Sequence, residues 1–368
     1  MKVLHFILGK ANKDRANGVN QVIAGLAKYS ARLGIQVRVI GKAQAVTSEG
    51  ELVDRDGFTV EAYSRWGRSL RAALSDAILW ADIVHLHGVY SPWNLLVARM
   101  CEKLDRPYTI TLHDGLAPDR ALVRGRLRKR IFQTFFQLRH LENAAGIHIL
   151  TEEEGTDLFA MARPRKVFCI PNGVDLDDYP EVNAGKNVSG REITIGYLGR
   201  LSAEKNLQSL CDAFVGANIH SNLRLKLAGP KTAFGEALLA QYVGYSVEWV
   251  GPKFGQEKTD FIRSLDLFVH PSLCDVFSIA AMEVLALGTP LLITRTSNVS
   301  YFYNQNAFYM CEPTIFGLKK GLQQAILGRD KWVVMARNGR DLIESRLNWG
   351  SAARDMLKAY ELMVAASK

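Results

Sequence analysis

EITIGYLGRLSAEKN, residues 192–206, is a strand-length apolar run that breaks at Gly199-Arg200 and passes, five positions later at Lys205, into the start of a helical stretch. Just before it lies EVNAGKNVSGRE (181–192), rich in Asn, Gly and charge, which has the composition of a linker. A strand–loop–helix unit therefore begins afresh near the middle of the chain. Toward the C-terminus the pattern repeats in LRLKLAG (223–229), VEWVG (247–251), DLFVHP (266–271) and TPLLIT (289–294), separated by helical stretches. From about Pro313 to Ala366 the chain reads as mainly helical. Toward the N-terminus, VLHFIL (3–8) precedes an amphipathic stretch from Gly18 to Leu33. IQVRVI (35–40), DIVHLH (82–87), YTITLH (108–113), GIHIL (146–150) and KVFCI (166–170) follow. This is the βαβ rhythm of a doubly wound parallel sheet, played twice. The expected division is a first Rossmann-like domain over 1–180, a linker over 181–191, and a second Rossmann-like domain over 192–368 whose terminal helices can pack back on the first. Two such halves are expected to face each other across a ligand cleft, with strand carboxyl ends toward it.

Composition narrows the function. The chain has 368 residues, 48% apolar and 23% charged, which is ordinary globular usage and excludes a disordered, collagenous or coiled-coil chain. Five separated cysteines, Cys101, Cys169, Cys211, Cys274 and Cys311, form no CxxC pair, which argues against a disulfide framework and a thiolate zinc site. The opening MKVLHFILGK is apolar too briefly for a secretory signal and reads as a first strand. No apolar run approaches the roughly 20 residues that cross a bilayer. A cytoplasmic protein is expected, with any membrane contact peripheral. The net charge is +9, and seven of those units fall in RALVRGRLRKRIFQTFFQLR (120–139), which holds no acid.

Chemistry in doubly wound sheets collects after the strands. There is no GxGxxG opening a helix, no P-loop and no HExxH, so nicotinamide dehydrogenases, P-loop kinases and zincins lose their main support. After EITIGYLG, Arg200 and Lys205 stand at a helix amino end, where two cations, free N–H groups and the helix dipole suit a phosphate or diphosphate. The bland reading is two solvated surface charges. HPSLCDVFSIAAMEVLALGTP (270–290) supplies a strand end, a loop and a helix capped by Ser278. Amides near Ser278 and Ile279 can take a phosphate, and Glu283, one turn on, can accept both hydroxyls of a ribose. Glu283 as an ordinary surface acid is the alternative, weakened because AAMEVLAL is apolar on all sides.

GRLSAEKN, the PS-x2-D-x7-E-x4-GTP arrangement and IPNGVD (170–175) resemble the GT-B-fold retaining glycosyltransferases of family GT4. The likeness runs over nearly the whole chain, through NGV (17–19), HLHG (85–88) and TLHD (111–114). It implies a hexosyltransferase of GT-B fold that takes a nucleotide-sugar donor, with no cofactor and no metal. Carried over position by position, Arg200 and Lys205 grip the diphosphate and Glu283 takes the ribose. Asp275, with the amides around Phe277 and Ser278, meets the donor sugar. Gly199 ends the strand before the diphosphate site, Gly18 permits close backbone approach, Val250 and Gly251 match the nucleobase region, and His113 sits beside the transferred sugar. Retention by front-face displacement is implied, as is a glycan or lipid-linked acceptor in lipopolysaccharide or exopolysaccharide synthesis. The chain departs from the family where Glu-Gly-Phe-Gly becomes Asp275-Val276-Phe277-Ser278, which shortens the first acid by about 1.5 Å. A GT-B-like epimerase or hydrolase, or a non-catalytic nucleotide-sugar-binding scaffold, are the competing functions.

Smaller signals stay open. His85 and His87 alternate on one strand and point the same way, as metal ligands or as hydrogen-bonded histidines beside the cleft. Asp175-Leu176-Asp177 matches a DxD metal motif, but its setting in IPNGVDLDD favours a turn or cap. Asn187-Val188-Ser189 and Asn298-Val299-Ser300 fit glycosylation acceptors and are incidental in a cytoplasmic protein. Segment 120–139 reads equally as an interfacial helix on anionic lipid at the inner face of the plasma membrane or as a domain helix with solvated arginines. It carries no nucleic-acid-binding motif, so no nucleic-acid partner is expected.

Overall fold

In a parallel sheet covered on both faces, strands read as unbroken apolar runs, because neither side meets water. β1 (Lys2–Ile7) is buried from Val3 onward, and β5 (Ile83–His87), β6 (Tyr108–Thr111) and β7 (Gly146–Ile149) are buried at every position. The computed structural model describes residues 1–8, 18–43, 48, 50–113, 116, 138–179, 192–217, 222–275, 277–297, 302 and 306–367. They form two compact units, Met1–Gly173 with Trp349–Lys368, and Val174–Asn348. The division thus comes at Gly173 and not at 180, because Val174 already bonds within the second unit, donating its N–H to the Leu347 carbonyl (3.0 Å). The expected linker, 181–191, lies outside the described residues.

In the first unit the remaining elements are α1 (Gly18–Arg32), β2 (Gln36–Lys42), β3 (Val53–Arg55), β4 (Phe58–Tyr63), α2 (Arg68–Trp80), α3 (Pro92–Lys103), α4 (Leu138–Asn143), α5 (Glu152–Met161) and β8 (Val167–Cys169). The sheet runs β3-β4-β2-β1-β5-β6-β7-β8, parallel throughout except for the β3–β4 hairpin. That hairpin had no place in the sequence reading. Its turn, Asp56-Gly57, has φ of 50° and 86°, the positive pair that a two-residue type I′ turn requires. Leu4, Phe6, Val84, Leu86, Ile110 and Ile147 of the sheet pack with Leu70, Leu74 and Ile78 of α2 and Val97 of α3 to make the core.

The second unit holds β9 (Ile193–Leu198), α6 (Leu207–Gly216), β10 (Leu223–Ala228), α7 (Ala233–Gln241), β11 (Val247–Trp249), α8 (Gly255–Ser264), β12 (Leu267–His270), α9 (Ile279–Ala286), β13 (Leu291–Thr294), β14 (Tyr309–Cys311), α10 (Ile315–Leu327) and α11 (Trp332–Ser345). Its six strands run β11-β10-β9-β12-β13-β14, all parallel. The order reverses between β9 and β12, the switch point beside which doubly wound sheets bind ligands. The last helix, α12 (Trp349–Ala365), returns to the first unit and packs on α1. No described helix is long and apolar enough to cross a membrane.

Candidate functional site

Three loops leave the carboxyl ends of β9, β10 and β11 side by side. The Gly199 N–H donates to the Ala228 carbonyl (3.0 Å), and the Gly229 N–H donates to the Gly251 carbonyl (2.9 Å). Gly229 has φ of 138°, and a β-carbon there would collide with the Gly199 carbonyl, so the backbones meet where no side chain fits. Val250 donates its N–H to Leu227 (3.0 Å), which fixes Val250 and Gly251 at the end of this row.

β9 and β12 are neighbours, so the loops after them also touch: the Leu273 N–H donates to the Glu204 carbonyl (3.1 Å). Lys205, at the end of a 3-10 turn over Ala203–Lys205, thereby meets Asp275, with Nζ 2.7 Å from Oδ2. His270 Nε2 reaches the same oxygen at 3.0 Å. Burial would raise the Asp275 carboxyl, but the His270 hydrogen bond and charge, with the Lys205 ammonium, hold it well below the usual carboxylate range. Arg200 stays outside this cluster, 60% exposed and 3.3 Å from Glu204. Ser278 caps α9 through its Oγ, which accepts from the Ala281 N–H (3.1 Å), so Ile279 opens the helix as expected. Phe277 is buried edge-on to Phe302.

Glu283 is buried, which rules out the surface-acid reading. Two groups converge on its Oε1, the Tyr179 hydroxyl (2.7 Å) and Lys258 Nζ (2.6 Å). Among the described residues Oε2 has no partner. Arg340 Nη1 donates to the carbonyls of Tyr179 and Ala286, both at 2.7 Å, and so clamps the Tyr179 segment to the end of α9. Burial, and then the Glu283 charge, push the Tyr179 hydroxyl far up, so it stays a donor. Asp175 caps the 3-10 turn over Leu176–Asp178 by accepting from the Asp177 N–H (3.2 Å), the cap reading of the DxD string.

In the first unit, His85 and His87 stack at 4.3 Å, and His5, directly across from His85 on β1, joins them. His113 follows β6 in a left-handed backbone (φ 50°), an uncommon state for a residue other than glycine. Burial, and for His85, His87 and His113 the neighbouring imidazoles, push every ring down: His5 and His113 to about 3, His148 to about 4, and His85 and His87 well below the ordinary value. Five neutral rings thus share one face of β1, β5, β6 and β7. One ring nitrogen from each of His5, His85 and His87 lies within 4.8 Å of the others. The three ring planes, however, cross at only 31°, 22° and 19°. A metal takes imidazole lone pairs in the ring plane, and near-parallel planes do not converge on one point. Both His85 nitrogens are also already bonded, to Tyr360 and Thr111 at 2.6 Å each.

The second unit therefore brings Lys205 and Asp275 together on the neighbouring loops after β9 and β12, with Gly199 in the first of those loops and Ser278, Ile279 and Glu283 at the start of the helix that follows Asp275. Gly18 opens α1 in the first unit and is exposed. Val276, the basic segment 120–137, both glycosylation strings and Asn17 lie outside the described residues. Sequence reasoning missed Lys258, Tyr179 and His270 as partners of the two acids. His270 sits five residues before Asp275 in a segment already singled out, whereas Lys258 and Tyr179 reach Glu283 only through the fold.

A model of Glycosyltransferase Family 4 matches residues 16–178, and one of Glycosyl transferases group 1 matches residues 179–342. One chain of the human phosphatidylinositol N-acetylglucosaminyltransferase is 24% identical over 57% of this chain, and the match spans 44% of that protein. A GDP-mannose:cellobiosyl-diphosphopolyprenol alpha-mannosyltransferase of Xanthomonas oryzae is 26% identical over 78% of this chain and 77% of its own. Among solved structures, Anabaena HepE in complex with UDP and glucose superposes with a TM-score of 0.76 at 16% identity, covering 98% of this chain and 99% of that one.

Proposed function

This chain belongs to the family 4, group 1 glycosyltransferases of GT-B fold, and from that premise we propose that it moves a sugar from a UDP- or GDP-sugar to an envelope glycan or lipid-linked acceptor, with retention at the anomeric carbon. The observation that carries the reading is the pairing, on adjacent loops, of Lys205 with Asp275, the acid just before α9, together with the buried Glu283 one turn inside that helix. Cleaving an anomeric C–O bond passes through an oxocarbenium-like state while charge builds on the departing diphosphate. Fixed positive groups aimed at that diphosphate stabilise the transition state more than the ground state. Lys205 is such a group. One of its three N–H donors is spent on Asp275, and the others can take phosphate oxygens without breaking the pair. Arg200 adds a second, exposed cation, and the free amides of α9 a third source of positive potential.

Glu283 serves the ribose. With Oε1 fixed by Tyr179 and Lys258, Oε2 is left to meet substrate, and a carboxylate there accepts both hydroxyls. Asp275 and the amides at Phe277 and Ser278 serve the sugar, Val250 and Gly251 the base, and His113 of the first unit the transferred group. UDP and UDP-glucose in the HepE structures, and the polyprenol-linked acceptor named in the Xanthomonas relative, support the donor and acceptor classes. The basic string 120–139 supports delivery of such an acceptor at an anionic membrane.

Nucleotide release from a panel of UDP- and GDP-sugars, with and without polyprenol-linked glycans, tests the proposal. Glu283→Ala and Lys205→Ala are each expected to abolish turnover. Full activity in both would overturn the site. An isomerised donor formed without acceptor would point to an epimerase, and tight binding with no turnover to a scaffold.

A further inference from the structure

Five of the eight histidines touch one another in the first unit. They form two separate hydrogen-bonded lines, and the proton positions in each follow from its end. The first line ends on a carbonyl, which can only accept. His148 Nε2 meets the Ile170 carbonyl at 2.8 Å, so it carries the proton and His148 Nδ1 is an acceptor. Thr111 then donates its hydroxyl to that Nδ1 (2.8 Å) and accepts from His85 Nε2–H (2.6 Å). His85 Nδ1 is left to accept the Tyr360 hydroxyl of α12 at 2.6 Å. Every member is satisfied with all rings neutral and the protons on Nε2.

The second line runs the other way. His5 Nδ1 lies 2.9 Å from His87 Nε2, and His87 Nδ1 lies 3.2 Å from His113 Nε2. The closed end is His5 Nε2, buried with no partner among the described residues. Among buried backbone groups an orphaned N–H is rarer than an under-satisfied acceptor, and the same preference is carried to the ring nitrogen. His5 Nε2 is therefore bare, and His5 Nδ1–H donates to His87 Nε2. His87 Nδ1–H in turn donates to His113 Nε2. Only Nδ1 remains for the His113 proton, and that nitrogen has no partner among the described residues.

We propose that His5 and His87 are positioning residues that hold His113 with its proton on Nδ1, so that this ring meets the transferred sugar as a neutral hydrogen-bond donor. The idea rests on the reading of His113 as a sugar-contacting residue. The device needs no carboxylate beside the ring: the orientation of the donor is set about two rings away, by a nitrogen walled off from water. Reversing the line would place an N–H at the closed end and turn His113 Nδ1 into an acceptor, which would take a proton from a sugar hydroxyl instead of giving one.

Long-range proton–nitrogen correlation spectra of the full chain, labelled with nitrogen-15 histidine and assigned by single substitutions, separate the two tautomers. The expected result is Nε2–H for His85 and His148, and Nδ1–H for His5, His87 and His113. Nε2–H on His5 or His113 overturns the proposal without any assay of activity. His5→Asp replaces the Nδ1–H donor to His87 by an acceptor-only carboxylate. It is expected to take the proton on His87 Nε2, to move His113 to Nε2–H and to lower kcat about tenfold, with KM for the nucleotide sugar changing less than about twofold. His5→Asn places an amide N–H where Nδ1 stood and is expected to restore both. An unmoved His113 tautomer or unchanged kcat in a folded His5→Asp variant, while His113→Ala is inactive, refutes the positioning role alone. Full activity in His113→Ala refutes the underlying site reading instead.

Discussion

Acidification from about pH 7.5 to about pH 5.5 should strongly destabilise the first unit before most carboxylates titrate. Six histidines of this unit, His5, His85, His87, His113, His140 and His148, have their rings held neutral, with values of about 3 to 4 where they are resolved and the others well below 6.5. Released into an unfolded chain they return to about 6.5 and bind protons that the native state refuses. The unfolded state binds more protons, so stability falls as pH falls below about 6.5, and the fall ends only near the depressed native values. Each group contributes about 1.4 kcal/mol of loss at pH 5.5 and under about 0.1 at pH 7.5. Six give about 8 kcal/mol, within the 5–15 kcal/mol that holds a typical domain together. For a unit of this size, about 2–4 °C per kcal/mol becomes a drop in Tm of roughly 16–32 °C. Hydrogen exchange followed by peptide mass spectrometry reads the two units separately. Loss of protection should appear in 1–173 and 349–367 and spare 192–348. His140 supplies an internal check: both its ring nitrogens are buried without partners among the described residues, and its ring stacks on Tyr108 at 5.4 Å. His140→Phe should keep the packing, raise stability at neutral pH, and remove about a sixth of the pH dependence. A Tm that stays flat between the two pH values would refute the claim that these rings are neutral in the native state.

Three further outcomes follow from single contacts. Lys258→Met leaves Glu283 buried beside a lone Tyr179 and should cost about 3 kcal/mol in denaturant melts, while Lys258→Met combined with Glu283→Gln should recover most of it. Asp275, whose carboxyl is held low by His270 and Lys205 against its burial, stabilises the second unit fully above about pH 4 and progressively less below it; Asp275→Asn should flatten that acid limb and lower kcat about 100-fold in sugar transfer. Gly229→Ala drives a β-carbon into the Gly199 carbonyl and should destabilise the second unit by about 2 kcal/mol or more, with weaker UDP binding by calorimetry.

What the sequence made legible was whatever depends on order along the chain. The apolar runs located most of the strands to within a residue or two, because a parallel sheet buried on both faces needs uninterrupted apolar strands. The Asp56-Gly57 hairpin also had a local signal, a two-residue turn between apolar runs, that the alternation of strand and helix obscured. The acids and the cap of the second unit were equally local, since Asp275, Ser278 and Glu283 fall within one loop and one helix. Their partners were not. Lys258 stands on the preceding helix and Tyr179 before β9, and both reach Glu283 only because the sheet folds β9 beside β12 and Arg340 ties the Tyr179 segment to α9. The histidines make the same point more sharply. His85 and His87 announced a shared face by their spacing, but their meaning hangs on His5, which pairs with His85 only when β1 lies against β5. In the sheet order of a doubly wound fold those two strands are neighbours, so the missing partner could be sought on β1 once the fold was accepted. The composition of a polar cluster is thus readable from sequence one strand at a time. Its proton positions are readable only from the two ends of each line, the Ile170 carbonyl at one and the walled-off His5 nitrogen at the other, and those are properties of the packed sheet.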